Sequence, residues 1–350
     1  MFLRNYRYTG KIEVGRAAPL ALLQIALASS SLFQAYVYSM SSTGSIAART
    51  NTNQFWVGFI LAGLGAILFS AKAIVAKFLY RYGVDALTVI GFRMMLGLPF
   101  FAAVAWVQAR RARLGLIPKL SLKESLQLSF LGFIGYYLSS YLDFIGLQYI
   151  SAGLERLILF LSPTFVLLIS AFYLKRSVSS GQWLALAISY LGVVFVFLQD
   201  LSLGGGSVML GSGFVLAAAI TYACYLIASG ELIKRVGATR LVAYAMAVSS
   251  VISMIHFFSV HGLQGLDQPH QVYSLSLFHA VFNTVFPTFM VMWAVGRIGA
   301  PMASQLGLVG PVSVLFLAAW LLGEPITPLQ LLGTAVSLVG VIVLTRTRKP

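Results

Sequence analysis

Six ionisable residues lie inside long apolar stretches of the chain: Lys72, Lys77, Arg93, Asp143, Glu155 and Arg156. A charge at the centre of a membrane helix costs about 2.5–3.5 kcal/mol on insertion scales, so such residues face a cavity or a partner. Four cations against two anions leave a positive surplus. Two arrangements meet that cost. In the first, Asp143 and Glu155 pair with Arg93 or Arg156, and lysines near helix ends snorkel to headgroups. In the second, a surplus cation meets a ligand carboxylate or phosphate, for which the two-toothed fork of arginine is suited. Glu155 and Arg156 are adjacent and point about 100° apart on a helix, so they do not simply neutralise each other. A buried carboxyl at 143 or 155 can titrate near neutral pH and carry a proton. Lys72, Arg93, Asp143 and Glu155 are therefore candidates for a charge network or a coupling site.

Polar aromatics and amides give a second signal. Tyr137 and Tyr141 are four apart, Tyr222 and Tyr225 three apart, and His279 and Asn283 four apart, so each pair shares a helix face. With Gln305, these groups could orient a small zwitterion around an apolar cavity. Tyrosines near span ends also serve as interfacial anchors, and amides join neighbouring helices. Pro163 and Pro311 fall inside apolar runs, where each removes a backbone hydrogen bond and loosens the helix, giving either a fixed kink or a hinge.

No catalytic constellation is present: there is no His-Glu-x-x-His, no Gly-x-Ser-x-Gly and no Walker phosphate loop. Four histidines show no metal-ligand spacing, so neither metal nor cofactor is expected and an enzyme or ATP-driven pump is disfavoured. The single cysteine, Cys224, builds no disulfide and reads as a small interior residue.

The elements that position these residues follow from composition. The chain is 59% hydrophobic and 9% charged, with mean hydropathy +0.88, against about 25% charged in soluble domains. Apolar runs near 55–79, 86–109, 125–148, 151–174, 182–198, 207–229, 239–260, 273–296, 299–322 and 329–345 each approach the ~20 residues that cross hydrocarbon. An all-α membrane protein of about ten helices follows. Starting the first run in the cytoplasm puts Arg110, Arg111, Arg113, Lys119, Lys123, Lys175, Arg176, Lys234, Arg235, Arg240, Arg297, Arg346, Arg348 and Lys349 on one side and Arg81 on the other. That asymmetry sets both ends of the ten-helix body in the cytoplasm of an inner-membrane, multi-pass protein. The net charge of +15 then orients the chain in lipid and calls for no nucleic-acid partner.

Residues 141–198 match residues 289–346 at one ungapped offset, with thirteen identities including Pro163/Pro311, Gln182/Gln330, Ser189/Ser337 and Gly192/Gly340. A repeat fixes architecture. About five runs separate the copies, and an odd number of crossings inverts the second, the plan of many secondary transporters. The domains expected are a 1–54 extension, disordered or reflecting a later start at Met40; a first five-helix repeat, 55–198; a Gly-rich linker, 199–207; a second repeat, 208–345; and a basic tail, 346–350. A looser match of 55–84 with 209–238 sets Gly83 against Gly237.

Three stretches carry a resemblance: Gln148 to Gly153 leading into Ser162-Pro163-Thr164, its partner Gly296 to Pro301 leading into Gly310-Pro311, and Leu322-Gly323-Glu324-Pro325-Ile326-Thr327 followed by Gly333 and Gly340. With them the chain resembles the drug/metabolite transporter superfamily, EamA type, over residues 55–345. The resemblance implies two inverted five-helix repeats around a cavity lined mainly by helices 1, 3, 4, 6, 8 and 9, and export of small organic solutes such as amino acids or derivatives. It also favours Arg156, which falls on helix 4. Lys175-Arg176 replaces the Gly-Glu ending in the first copy, and Gly153-Leu154-Glu155-Arg156-Leu157 is not general to the family. The partners expected are a small solute and the bilayer, with a homodimer left open. A lipid or glycolipid flippase and a non-transporting scaffold or sensor are the alternatives.

Overall fold

The computed structural model describes residues 52–172, 179–204, 207–307 and 309–347. The N-terminal extension, Lys175, Arg176 and the end of the basic tail lie outside the described residues, as do the side chains of Pro163 and Gln305. The regular structure of the described residues is all helical, with no strand among them. The spans are α1 (Gln54–Tyr80), α2 (Ala86–Arg113), α3 (Leu122–Leu147), α4 (Ala152–Ile169), α5 (Ser180–Ser202), α6 (Ser207–Gly230), α7 (Ala238–His261), α8 (His270–Val291), and two shorter apolar helices, α9 (Val309–Leu322) and α10 (Pro328–Val343). The outer surface is apolar, with Trp106, Phe130, Leu184, Met209, Ile255 and Trp320 all exposed, the reverse of a surface built for water.

Local chemistry sets the helix ends. Asp85 accepts from the Thr88 amide to start α2, and Ser121 with Glu124 forms a capping box ahead of α3. Gly83 (φ 79°) and Gly237 (φ 82°) are both left-handed. They close the first helix of each half at matching positions, where a side chain would strain the backbone.

Repeat-related helices pack against each other in opposite directions. A Cβ on Gly192 of α5 would meet the Ser337 side chain of α10 at 2.4 Å, and one on Gly340 of α10 would meet the Ser189 side chain of α5 at 2.3 Å. Each contact is the image of the other, as a two-fold relation requires. The axis must cross the helices, because the two run antiparallel. Helices α2 and α7 do the same: Gly91 faces Phe257, and Ser250 lies 3.7 Å from the Met94 sulfur. Around these pairs, α1 packs on α8, α3 on α6, and α4 on α9. Two inverted five-helix repeats are thus written in the contacts.

Two boundaries differ from the sequence expectation. Residues 199–204, expected in the linker, continue the helix Ser180–Gly204, and Ser202 donates to the Gln199 carbonyl there. Only 205–206, outside the described residues, separate the halves. The break expected near 297 is also missing. The backbone stays helical from Phe286 to Leu306, Arg297 folding back to donate to the Trp293 carbonyl. Cys224 is exposed, not interior: on α6 it faces away from the neighbours that bury Ala223 and Tyr225.

Candidate functional site

Five helices are irregular in the middle of the bundle. Helix α1 is interrupted at Ala71, between Ser70 and Lys72. Helix α4 breaks at Phe160–Leu161, and the helix ahead of α9 ends at Leu306 before Gly307. Helices α3 and α8 each carry a π-helical segment, Gly132–Leu138 and Val281–Val285, and a third, Ala318–Leu322, ends α9. The α4 and α9 breaks, and the π segments of α3 and α8, fall at corresponding repeat positions. π turns re-aim side chains and gather at functional sites, and discontinuous helices expose backbone groups to a solute in transporters.

The prolines explain two of the breaks. Proline obstructs the carbonyl four residues earlier, which is Leu159 for Pro163 and Gly307 for Pro311. Ser162 Oγ donates to the freed Leu159 oxygen at 2.6 Å, and the Gly310 amide donates to the Gly307 oxygen at 3.0 Å.

The interrupted segments bring five ionisable residues together. Lys72 Nζ lies 2.6 Å from Asp143 Oδ2 and 3.6 Å from Glu155 Oε1, and all three side chains are buried. The expected pairing of the carboxyls with Arg93 or Arg156 therefore gives way to Lys72, which the break at Ala71 sets between them. Both arginines lie over rings instead: Arg93 Cζ is 4.9 Å from the Phe144 centroid, and Arg156 Cζ is 5.6 Å from that of Phe69. Such contacts suit a planar cation but leave donors unused. Among the described residues, Arg93 Nε and Nη2, Arg156 Nε, Asp143 Oδ1, both Glu155 oxygens and both His279 ring nitrogens are buried without a hydrogen-bond partner. Buried polar groups are nearly always partnered, so this concentration of unsatisfied groups makes the cluster the candidate site. Three cations and two carboxyls leave one surplus positive charge.

Arg156 is central to that place. Its guanidinium lies against Phe69 of α1, and Nη2 is 3.2 Å from where a Cβ on Gly310 of α9 would sit. Tyr222 of α6 is close enough to interact with it electrically. Residues of both repeats surround it. Only glycine at 310 leaves room, since a Cβ would also fall 2.5 Å from Ser70 Oγ. Asn283, on the α8 π segment, donates to the Leu68 carbonyl at 2.6 Å, beside the α1 break, and its Oδ1 has no partner among the described residues.

Tyr137 and Tyr141 form a separate group. Their rings stack at 6.1 Å, and Tyr137 OH lies 2.6 Å from His256 Nδ1 of α7. Tyr225 bonds Tyr136 at 3.0 Å and stacks on Tyr222. Gln305 sits on helical backbone close to the Gly307 break. Lys77 leaves the buried cluster for one helix end, where it lines a cavity of about 350 Å³ with Tyr80, Arg81, Gln148, Leu322 and Glu324. There Glu324 accepts from the Ala152 amide at 3.2 Å and Asp200 from the Ser151 amide at 3.1 Å, two carboxylates on the start of α4. Burial pushes the Glu324 carboxyl above its usual range, against the pull of the Ala152 amide and of Lys77.

His256, Phe69, Phe144, Ser70 and Gly310 were invisible as site residues in the sequence, being ordinary residues on apolar runs. The repeat offset would have found Gly310, the counterpart of Ser162.

The EamA-like transporter family model matches residues 56–198 and 209–346. A Bacillus subtilis (strain 168) protein named uncharacterized transporter YcbK is 30% identical over 288 residues, covering 79% of this chain and 88% of that protein. An Escherichia coli (strain K12) protein named probable amino-acid metabolite efflux pump is 28% identical over 206 residues, 55% of this chain and 67% of its own. A crystal structure covering 84% of this chain and 96% of its own superposes with TM-score 0.54 at 16% identity, a likeness of fold.

Proposed function

Because the chain belongs to the EamA-like transporter family, we propose that it exports a small polar metabolite, an amino acid or a derivative, by alternating access between its two repeats. Transport across a membrane is the premise; solute, direction and mechanism are our reading. The observation that carries it is Arg156: a half-buried arginine whose buried Nε donor is unused, where helices of both repeats meet beside a glycine. The carboxylate of a zwitterion would take that donor, with Tyr222 and Asn283 on the flanks. Relatives named probable amino-acid metabolite efflux pump and, from Streptantibioticus cattleyicolor, probable terminal-alkyne amino-acid exporter support the solute class. The protein would work in the cell's inner membrane with both termini cytoplasmic, as the positive-inside pattern implies.

Counterflow into proteoliposomes tests this, using a pooled panel of radiolabelled amino acids. Wild type should accumulate label and Arg156→Ala should lose it. Equal flux in both would return Arg156 to a packing role, and no flux in either would favour a scaffold or sensor. One observation favours a lipid substrate: an apolar groove of about 490 Å³ between α2 and α7, lined by Leu98, Val251, Met254, Ile255, Phe258 and Ser259. It has no charge to hold a headgroup. Scrambling of labelled lipid by wild type without amino-acid counterflow would select that alternative.

A further inference from the structure

The buried carboxyl pair contains a contradiction that one proton removes. Asp143 Oδ2 and Glu155 Oε1 converge on one ammonium, Lys72 Nζ, so their carboxyl groups are close neighbours. Asp143 Oδ1 and both Glu155 oxygens find no donor among the described residues. Two ionised carboxyls there would present acceptor to acceptor, and burial with a like charge nearby disfavours the second ionisation. A proton on Glu155 makes it a donor to the unused Asp143 oxygen and leaves one ammonium paired with one carboxylate.

The groups around the pair are fixed by the fold. Lys72 and Tyr80 of α1, Arg93 of α2 and Arg156 of α4 interact with it, Lys77 acts on Glu155 from the end of α1, and His279 of α8 lies near Arg93 and Lys72. Tyr222 of α6 interacts with Arg156, and from α5 Asp200 sits at the start of α4. Helix α9 contributes no ionisable side chain. Neither arginine is drawn onto the carboxyls, since both lie over rings. Among the described residues, Lys72 is the cation within ion-pair distance of both carboxyls.

We infer that Asp143 and Glu155 form a proton-binding site, and that the proton exchanges there with the ammonium group of the solute. Resting on the transport reading for its second half, this deepens that reading. Arg156 and Glu155 interact electrically, so a zwitterion whose carboxylate is on Arg156 would have its ammonium drawn towards Glu155. Ionised Glu155 accepts that ammonium and protonated Glu155 does not, so solute and proton compete. Competition at a site reached from each side in turn gives exchange, with protons entering as solute leaves.

Infrared spectroscopy of the full-length protein in lipid tests the site without any solute. Wild type should show a carboxylic-acid carbonyl band at neutral pH that fades on alkalinisation, and Glu155→Gln should lack it, whereas Glu324→Gln should keep it. Absence of the band from wild type at neutral pH, or its survival in both Glu155→Gln and Asp143→Asn, overturns the inference. The wild-type titration decides the point even if the variants do not fold. In proteoliposomes, an inwardly directed proton gradient should speed amino-acid efflux roughly tenfold from wild type and from Glu324→Gln, and should drive none from Glu155→Gln. Counterflow indifferent to the gradient in wild type overturns the exchange. The band without any counterflow overturns the transport reading and upholds the proton site.

Discussion

Ser337 Oγ donates to the backbone carbonyl of Ser189 at 3.1 Å, and the two residues are counterparts in the two repeats. This bond lies where α5 and α10 cross, between stripes of small residues, Ala185, Ser189 and Gly192 against Gly333, Ser337 and Gly340. Backbones approach closely through such stripes, and apolar packing between membrane helices depends on that closeness.

Alanine at Gly192 should therefore destabilise the fold. Its Cβ would meet the Gly333 carbonyl oxygen at 2.4 Å, a backbone atom that cannot swing away. Overpacking of this kind costs about 1–3 kcal/mol. Gly63, with open space around it, should tolerate the same change. Thermal unfolding in detergent compares the two, and equal melting temperatures would refute close packing at α5–α10.

The stripe was legible in the sequence because the repeat marks it twice, and so were the ten helices, from hydropathy alone. The helix joins were less so. Nothing in Gly296 to Pro301 distinguishes a turn from a continued helix, and residues 199–204 hold enough Leu to stay helical. Of the site residues, the ionisable ones stood out because charge is rare in apolar runs. Their partners did not. Which of Lys72, Arg93 and Arg156 meets Asp143 depends on the break at Ala71, a tertiary outcome with no local signal. The Tyr137–His256 bond joins α3 to α7 across 119 residues, and no periodicity reports it.

Removing the shared ammonium should be costly. Lys72→Met removes the ammonium that touches both Asp143 and Glu155, and breaking a buried pair costs about 3–5 kcal/mol. Pairing Lys72→Met with Asp143→Asn should recover much of that loss. Unfolding in urea would show the recovery, and a single variant as stable as wild type would mean Lys72 holds neither carboxyl.

Gly310→Ala should weaken solute binding while sparing the fold. The added methyl falls against Ser70 Oγ and Arg156 Nη2, both able to shift, so the guanidinium is displaced instead of the backbone. We expect about a tenfold rise in half-saturating solute, equivalent to roughly 1.4 kcal/mol, with maximal counterflow near wild type. An unchanged concentration dependence would show that the solute does not depend on this arginine's position.

Glu324 should give a pH signature at the start of α4. Burial raises its carboxyl above the usual value, so in that window the folded chain binds more protons than the unfolded one. Stability from this group is then greatest below its ordinary range and declines as pH rises through the raised value. Melting temperatures of wild type and Glu324→Gln should converge or cross as pH falls from 7 towards 5, wild type gaining on the variant. Parallel curves would place Glu324 outside the titrating groups.

The prolines make the last test. Pro163 and Pro311 each free a carbonyl, at Leu159 and Gly307, and the freed oxygens are taken by Ser162 Oγ and by the Gly310 amide. The breaks are thus satisfied without a regular helical bond, and bending there forfeits none. If these are the hinges of alternating access, Pro163→Ala or Pro311→Ala would restore the bond and stiffen the break. Counterflow should then fall about tenfold for either variant and further for the double, while melting temperature holds or rises. A static kink would leave transport intact in all three, because a helix that does not bend loses nothing by being straightened.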